Sequence, residues 1–157
     1  MPSKMLKEFL DKNKIKYVTI KHSLAFTAQE IAASAHIKGT EMAKTVLIKI
    51  DGKMAMFVLP ASYKVNFDQL HETLGTKNIR LANEVEFKDK FSDCDVGAMP
   101  PFGNLYGLDV YVADVLAKDE EIAFNACTHT ELIQMPYKDF ERLVKPRLIK
   151  FSYPTRL

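Results

Sequence analysis

The stretch KTVLIKIDGKMAMFVLP, residues 44–60, carries the strongest structural signal in the chain. Two runs rich in strand-forming residues flank Asp51 and Gly52, a pair typical of the two-residue turn in a β-hairpin. Such a turn fixes the register, because residues pair outward from it until Lys44 lies opposite Leu59. The sequence therefore predicts an antiparallel hairpin over this stretch.

Lys44 is the residue of this hairpin with the clearest chemical potential. Because side chains alternate along a strand, Lys44 shares a face with Val46, Ile48 and Ile50, at the end remote from the turn. In one interpretation its stem lines the rim of the core and its ammonium reaches into water. In the other, the ammonium is held at the mouth of an apolar cavity, where it meets a negatively charged group or a carbonyl. The pattern leaves both interpretations open.

Helix and strand signals alternate through the remaining residues, without an internal repeat or a low-complexity linker. They predict one α+β domain spanning residues 1–157, with antiparallel pairing where connections are short. Helices are expected after the caps Ser3, Thr27, Asn66 and Asn83, and from Pro136. Besides the hairpin, strands are expected near residues 17–21, 109–116, 121–126, 131–135 and 147–152.

Composition narrows the class of protein. Apolar residues make up 47% and charged residues 27%, which is ordinary for a globular protein. The net charge of +2 argues neither for nor against an extended nucleic-acid interface, although it tolerates a small phosphate contact. No apolar run approaches the ~18 residues of a membrane span, and the amino terminus is typical of an amphipathic helix rather than a signal peptide. Two cysteines, Cys94 and Cys127, argue against a disulfide framework or a zinc site and favour a reducing compartment, so we expect a cytoplasmic location.

A second unusual stretch, DVGAMPPFGNLYG at residues 95–107, places three glycines and two prolines among thirteen residues. Pro100 and Pro101 stiffen the backbone and have no N–H to donate. The N–H groups that remain belong to Gly97, Ala98, Met99, Phe102 and Gly103. A rigid loop with a few free N–H groups could hold an acyl or phosphate oxygen, and glycine lets a substrate approach the backbone closely. A plain structural turn is the alternative.

Four segments together give the chain a recognisable pattern. They are HSLAFTAQEIA (22–32), MAKTVLIKI (42–50), GAMPPFG (97–103) and FNACTHTELIQMPYKDFERL (124–143). With these segments the chain resembles the YbaK family, the editing domains associated with prolyl-tRNA synthetase, over nearly its whole length. The resemblance implies one compact α+β domain with a mixed, mostly antiparallel, barrel-like sheet and flanking helices. It also implies hydrolysis of the ester between a wrong amino acid and its tRNA, which several members perform as free-standing proteins in trans.

The resemblance also implies roles for particular residues. Lys44 corresponds to the family's essential lysine and is the predicted catalytic residue, while His129 lies where a histidine affects substrate choice in some relatives. The predicted substrate-binding residues are Gly97, Ala98, Met99, Pro100, Pro101, Phe102, Gly103, His129, Thr45, His22, Phe26 and Thr27. One departure is Cys127, where many relatives carry glycine, and it leaves the shape of the pocket floor open.

The implied activity meets a physical need. Synthetases separate small apolar side chains poorly, because one methylene is worth only ~1–3 kcal/mol, and a second hydrolytic site restores accuracy. The aminoacyl ester is already activated, so a positioned water, assisted by the neighbouring ribose hydroxyl, is expected to suffice. The protein then supplies orientation through Lys44 and oxyanion stabilisation through loop N–H groups. A catalytic part for His129 or Cys127, and the identity of the amino acid removed, stay open.

Other catalytic patterns are missing from the sequence, including HExxH, GxSxG and the cysteine-protease signatures. We expect no cofactor and no metal. The expected partner is the 3′ aminoacyl end of mischarged tRNA, with a tRNA synthetase as a further candidate, no membrane, no DNA and a monomeric state. The basic stretch from Arg142 onward fits either a solvated edge or a weak contact to the tRNA backbone. The alternative function is a non-catalytic module that binds a nucleotide, a tRNA or a protein in the same cavity.

Overall fold

The computed structural model describes residues 4–21, 41–95 and 97–154. The helices in these ranges are α1 (Lys4–Lys12), α2 (Phe67–Leu74), α3 (Glu84–Phe87) and α4 (Tyr137–Val144), with short 3-10 helices at Gly103–Tyr106 and Leu116–Lys118. The strands are β1 (Val18–Lys21), β2 (Ala43–Ile50), β3 (Lys53–Pro60), β4 (Tyr63–Val65), β5 (Ile79–Leu81), β6 (Val110–Ala113), β7 (Glu121–Asn125), β8 (Glu131–Pro136), β9 (Arg147–Ile149) and β10 (Ser152–Pro154). The expected cap Ser3 and the helix expected from Thr27 lie outside the described residues.

The predicted hairpin is confirmed along its full length. Strands β2 and β3 pair antiparallel, with Ile50 opposite Lys53 next to the turn and Lys44 opposite Leu59 near the far end. They occupy inner positions of a five-stranded sheet with the order β5-β2-β3-β6-β9. Strand β6 pairs parallel with both β3 and β9, so this sheet is mixed, as the resemblance implied.

Two smaller sheets complete the strand pairing of the described residues. Strands β1, β8 and β7 form an antiparallel sheet, and β4 pairs antiparallel with β10. An isolated parallel bridge between Met42 and Ala123 connects the beginning of β2 to β7. Most pairings are antiparallel, as predicted, but the described sheets are not closed, so the barrel-like description is corrected to three separate open sheets.

The strand predicted over residues 147–152 is divided, because the chain turns at Phe151. The Phe151 side chain is fully buried and its carbonyl accepts a hydrogen bond from the N–H of Asn66 at 2.6 Å. Strand β9 therefore remains with the five-stranded sheet while β10 joins β4. Strands β4 and β5 have three residues each, too few for an alternation of apolar and polar residues that would predict them from the sequence.

The predicted helix boundaries at Asn66, Asn83 and Pro136 are confirmed. The Asn66 side chain accepts a hydrogen bond from the N–H of Gln69, and α2 ends at Gly75 in the left-handed conformation. Asn83 forms a capping box at the start of α3, and α4 begins directly after Pro136. No helix among the described residues is long and apolar enough to cross a membrane.

The hairpin is covered on both faces, and each face contributes to a separate core. The first core joins Met56 and Val58 to α1, α4 and the β7–β8 strands, and Phe102 lies within it. The second core joins the alternate residues Phe57 and Leu59 to α2, β6 and the segment around residue 151. Burial on both faces explains why the hairpin sequence is apolar almost throughout.

Candidate functional site

Lys44 lies on the face of β2 that carries the second core, and it is half-buried. Its Nζ donates a hydrogen bond to the carbonyl oxygen of Ala61 at the long distance of 3.5 Å. Burial lowers the pKa of the Lys44 ammonium below its usual value, and the positive charge of Lys64 lowers it further. The structure thus combines both predicted interpretations, since the stem packs at the rim of the core while the charge is partly removed from water.

Neither Lys44 nor Lys64 forms an ion pair with a carboxylate of the described chain. The lysines that do form ion pairs there lie elsewhere, such as Lys49 with Glu86 at 2.7 Å and Lys53 with Asp109 at 3.6 Å. The charge of Lys44 at the beginning of β2 is consequently not neutralised by a described residue, which favours an anion as its partner.

The beginning of the glycine–proline loop is held by backbone hydrogen bonds to the segment after β7. The N–H of Asp95 donates to the carbonyl of Cys127 at 2.8 Å, and the N–H of Cys127 donates to the carbonyl of Ala98 at 3.0 Å. The N–H of Ala98 itself donates to Asp95 at 3.0 Å, so this predicted donor is already occupied. Among the described residues, the N–H groups of the other four predicted donors have no backbone acceptor, namely those of Gly97, Met99, Phe102 and Gly103.

The same hydrogen bonds bring the two cysteines together, and the argument against a disulfide was wrong. Cys94 and Cys127 form a disulfide in the structure, with their Cα atoms 4.2 Å apart across a sequence separation of 33 residues. The cysteine count gave no sign of this pairing, because the two thiols meet only through the folding of the loop onto the turn after β7. Cys127 also has a φ of 69°, a conformation in which glycine is unstrained, and in the disulfide it is not a free nucleophile.

Gly97 and His129 meet at this junction. Gly97 is exposed and has a φ of 84°, and a Cβ atom placed on it would lie 3.5 Å from Cε1 of His129. His129 is itself 7% exposed, in the turn between β7 and β8. The structure therefore places the glycine of the predicted substrate loop beside the predicted specificity residue.

The rest of the loop is anchored in the first core. Met99, Pro100, Pro101, Phe102 and Gly103 are buried. The ring of Phe102 packs against three other rings, with centroid distances of 6.1 Å to Phe9, 5.4 Å to Phe124 and 5.4 Å to Phe140. At Gly103 a Cβ atom would come within 2.7 Å of the Val110 side chain. This glycine permits close packing, and Phe102 supports the loop from inside the core.

Lys44 lies on the face of the hairpin that carries the second core, whereas Met99 and Phe102 of the loop belong to the first core. The hydrogen bond of the Lys44 ammonium goes to Ala61 and not to the loop. The connection between Lys44 and the loop runs through the bridge from Met42 to Ala123, because β7 continues from Ala123 towards His129. Thr45 follows Lys44 and therefore projects from the opposite face of β2. His22, Phe26 and Thr27 lie outside the described residues.

Two cavities lie near the glycine–proline loop. One, of about 760 Å³, lies between α1 and the segment around Asp93 and Tyr106, and none of the predicted site residues lines it. The other, of about 250 Å³, is lined by Met99 of the loop together with residues that include Phe91 and Cys94. Neither cavity is lined by Lys44 or His129, so the site is described from the convergence of chain segments around β2 and β7.

Sequence reasoning passed over Asn125, the last residue of β7. It is 7% exposed, and its Oδ1 has no hydrogen-bond partner among the described residues. A parallel bridge joins Met42 to Ala123. Lys44 is two residues beyond Met42 and Asn125 is two residues beyond Ala123, so the two residues have corresponding positions relative to this bridge. In the segment FNAC a polar residue directly follows the apolar residues that predict a strand, and this feature could have identified Asn125.

Comparison with known sequences identifies the class of protein. The chain matches the family model of the aminoacyl-tRNA editing domain over residues 22–143. It is 30% identical to the multifunctional Ser/Thr-tRNA deacylase ProXp-y of Escherichia coli strain K12, across 76% of this chain and 75% of that protein. A shorter match, 25% identical, relates 48% of this chain to 13% of the proline–tRNA ligase of Bacillus mycoides strain KBAB4. The chain belongs to the aminoacyl-tRNA editing domain family, whose members hydrolyse mischarged aminoacyl-tRNA.

Solved structures confirm the fold. The crystal structure of a proposed trans-editing enzyme for prolyl tRNA synthetase superposes with a TM-score of 0.81 at 17% identity, covering 96% of both chains. The crystal structure of a hypothetical protein superposes with a TM-score of 0.83, also at 17% identity, covering 94% of this chain and 99% of the other. The expected α+β architecture is therefore shared with these two solved structures.

Proposed function

We propose that this chain is a free-standing aminoacyl-tRNA deacylase that hydrolyses the ester of mischarged tRNA in trans. Membership of the editing-domain family supports the reaction class, and Lys44 is the observation that carries the proposal for this chain. Lys44 is half-buried at the beginning of β2, and its ammonium has no carboxylate partner in the described ranges. Such a charge is available to an incoming phosphate or carbonyl oxygen.

The reaction requires little covalent chemistry from the protein. Water attacks the ester carbonyl carbon, a tetrahedral oxyanion forms, and the bond to the ribose oxygen breaks. The ribose oxygen takes up a proton, and the products are the free amino acid and uncharged tRNA. Orientation and stabilisation of the oxyanion are the contributions that a protein must make.

In this proposal Lys44 and the loop together position the substrate and stabilise the oxyanion. The loop donors that remain for the oxyanion are the N–H groups of Gly97, Met99, Phe102 and Gly103. Ala98 drops out as a donor because its N–H is bonded to Asp95. The buried Phe102 and Gly103, together with the prolines, hold the loop backbone in place. Thr45, His22, Phe26 and Thr27 remain predicted substrate contacts.

His129 acts on selectivity in the proposed mechanism. It is buried beside Gly97, where the amino acid side chain would enter the loop region. A residue in this position restricts the size of the aminoacyl group and offers a ring nitrogen for a hydrogen bond. The ribose hydroxyl of the substrate can assist the water, which reduces the need for a protein base.

The relative named a Ser/Thr-tRNA deacylase suggests small, hydroxyl-bearing amino acids as first candidates. A small pocket also fits cysteine, alanine and proline. A cytoplasmic location, contact with a tRNA synthetase, a monomeric state, the lack of DNA binding and a single domain over residues 1–157 belong to the same proposal.

A panel of purified aminoacyl-tRNAs tests this function. We expect the wild-type chain to release one or a few small amino acids from noncognate tRNA faster than spontaneous hydrolysis, and to leave correctly charged tRNA intact. Hydrolysis at the spontaneous rate for every member of the panel would contradict the proposal. If the chain nevertheless bound those tRNAs, the alternative of a non-catalytic tRNA-binding module would replace it.

A further inference from the structure

Next to Lys44 lies a second basic position that the proposed function does not use. The turn after β3 leads from Ala61, whose carbonyl contacts Lys44, to the exposed Lys64 in the middle of β4. Lys64 is close enough for its charge to lower the pKa of Lys44. Two ammonium groups that repel each other, without a carboxylate between them in the described residues, form a local field that favours an anion.

An aromatic ring lies directly beside Lys64. Strand β10 pairs with β4 so that Tyr153 is opposite Lys64. Cross-strand partners have Cβ atoms about 4.5–5.5 Å apart on the same face of the sheet, so the lysine and the ring form one surface. Tyr153 is 45% exposed and belongs to neither core cluster, so its ring is accessible from outside.

We propose that Lys64 and Tyr153 form a docking surface for the single-stranded 3′ end of the tRNA substrate, immediately outside the Lys44 site. Lys64 binds a phosphodiester and Tyr153 stacks on a base. The inference rests on the proposed function for its choice of RNA, and it extends that function from the ester to the nucleotides that precede it.

The chemistry of the surface matches a single strand better than a duplex. Base stacking on an exposed aromatic ring requires an unpaired base, and it contributes ~1–3 kcal/mol per base. A lone ammonium binds a phosphate whatever the base sequence, which suits an end that is common to every tRNA. The chain's net charge of only +2 is also compatible with a short contact of this kind.

The decisive binding experiment uses an uncharged RNA minihelix that ends in single-stranded CCA, and a matched minihelix without these nucleotides. Affinities are measured by fluorescence anisotropy at several salt concentrations for the wild type, Lys64→Ala, Tyr153→Ala and Tyr153→Phe. Lys53→Ala is the control, because Lys53 is an exposed lysine at the opposite end of the same hairpin. Thermal melting verifies that each variant is folded, as expected for exposed positions.

We expect the wild type to bind the CCA-ending minihelix more tightly than the truncated one. Tyr153→Ala should weaken binding by about 5- to 100-fold and Tyr153→Phe should restore it, since the ring provides the stacking. Lys64→Ala should weaken binding and reduce the magnitude of the slope of log affinity against log salt by about 0.7, the value for one phosphate contact on a single strand. Wild-type affinity and slope in Lys64→Ala, or equal binding of both minihelices, would overturn the inference.

Kinetics separate this inference from the proposed function. With a mischarged tRNA that the wild type hydrolyses, Lys64→Ala should raise KM and leave kcat unchanged, because it removes a contact that is equal in the ground and transition states. Hydrolysis with an unchanged KM in this variant would refute the docking surface alone. Binding of the minihelix through Lys64 without hydrolysis of any aminoacyl-tRNA would refute the deacylase alone.

Discussion

Different kinds of interaction position Lys44 and the loop of residues 97–103 in the candidate site. Lys44 lies in a strand whose register follows from a turn only a few residues away, and its side chain sits at the rim of the second core. The loop instead depends on the segment around Cys127, to which it is joined by backbone hydrogen bonds, and on Phe102 inside the first core. Changes in the loop should therefore alter stability together with activity, whereas a change at Lys44 should alter the chemistry alone.

Among substitutions in the loop, we expect Phe102→Ala to change the stability of the protein most. Phe102→Ala should lower the free energy of unfolding by about 3–5 kcal/mol, because it empties a fully buried position that contacts three other rings. Denaturant unfolding measures the loss. Leu148→Ala is the control, since Leu148 is 46% exposed and should change stability little. A loss below about 1 kcal/mol in Phe102→Ala would show that the loop is not anchored by this ring.

Substitution of Gly97 distinguishes a loss of stability through backbone strain from a loss of activity through contact with the substrate. Alanine in this left-handed conformation should cost about 1–2 kcal/mol of stability. Gly52 is a matched control, because its φ of 83° nearly equals the 84° of Gly97 and a Cβ atom there would meet nothing within 4 Å. Gly97→Ala and Gly52→Ala should lose similar stability by thermal melting, and only Gly97→Ala should also slow deacylation. Equal activity in the two variants would remove Gly97 from the site.

The variant His129→Ala tests whether this histidine determines which aminoacyl-tRNA is hydrolysed. His129→Ala should change the ratio of kcat/KM between two aminoacyl-tRNAs by about tenfold, equivalent to ~1.4 kcal/mol, because a cavity beside Gly97 admits larger groups. The comparison uses several aminoacyl-tRNAs, with His71→Ala as a control at a histidine of α2. A uniform loss of about a hundredfold or more on every substrate would instead make His129 a general base.

The smallest expected effect is that of Lys44 on stability. Lys44→Ala should change the free energy of unfolding by no more than about 0.5 kcal/mol at neutral pH. Its folded-state pKa is lowered, so the protonated lysine slightly disfavours the fold below that pKa, and this cost disappears as the pH rises through it. The variant should therefore be relatively more stable at pH 7 than at pH 10 in paired unfolding measurements. A marked destabilisation at pH 7 would place Lys44 in the structural core.

The sequence was sufficient for elements specified by neighbouring residues. The Asp51-Gly52 turn determined every pair of the hairpin, and the caps Asn66 and Asn83 began helices where expected. Features that arise from distant segments were not predictable in this way. The disulfide, the hydrogen bond from the N–H of Cys127 to Ala98 and the pairing of β4 with β10 each join parts of the chain whose approach depends on the complete fold.

The same distinction holds for the candidate site. The position of Lys44 followed from strand alternation, while its assignment as the catalytic residue came from the family resemblance. The closeness of Gly97 to His129 needed the structure, because 32 positions separate them and no periodic pattern relates a loop to a turn. Lys64 and Asn125 were passed over because a single polar residue in a short strand is also typical of a solvated edge.

The most direct test of the account is a single-turnover deacylation assay that compares the wild type with Lys44→Ala and Lys53→Ala on the best substrate from the tRNA panel. Both changes remove one lysine from the same hairpin, but Lys53 pairs with Asp109 at the turn whereas Lys44 stands without a described carboxylate at the other end. The account predicts wild-type rates for Lys53→Ala and a loss of about 10²–10³-fold for Lys44→Ala, the range for removal of one preorganised oxyanion-stabilising group. A folded Lys44→Ala protein that hydrolyses the substrate at the wild-type rate would contradict it.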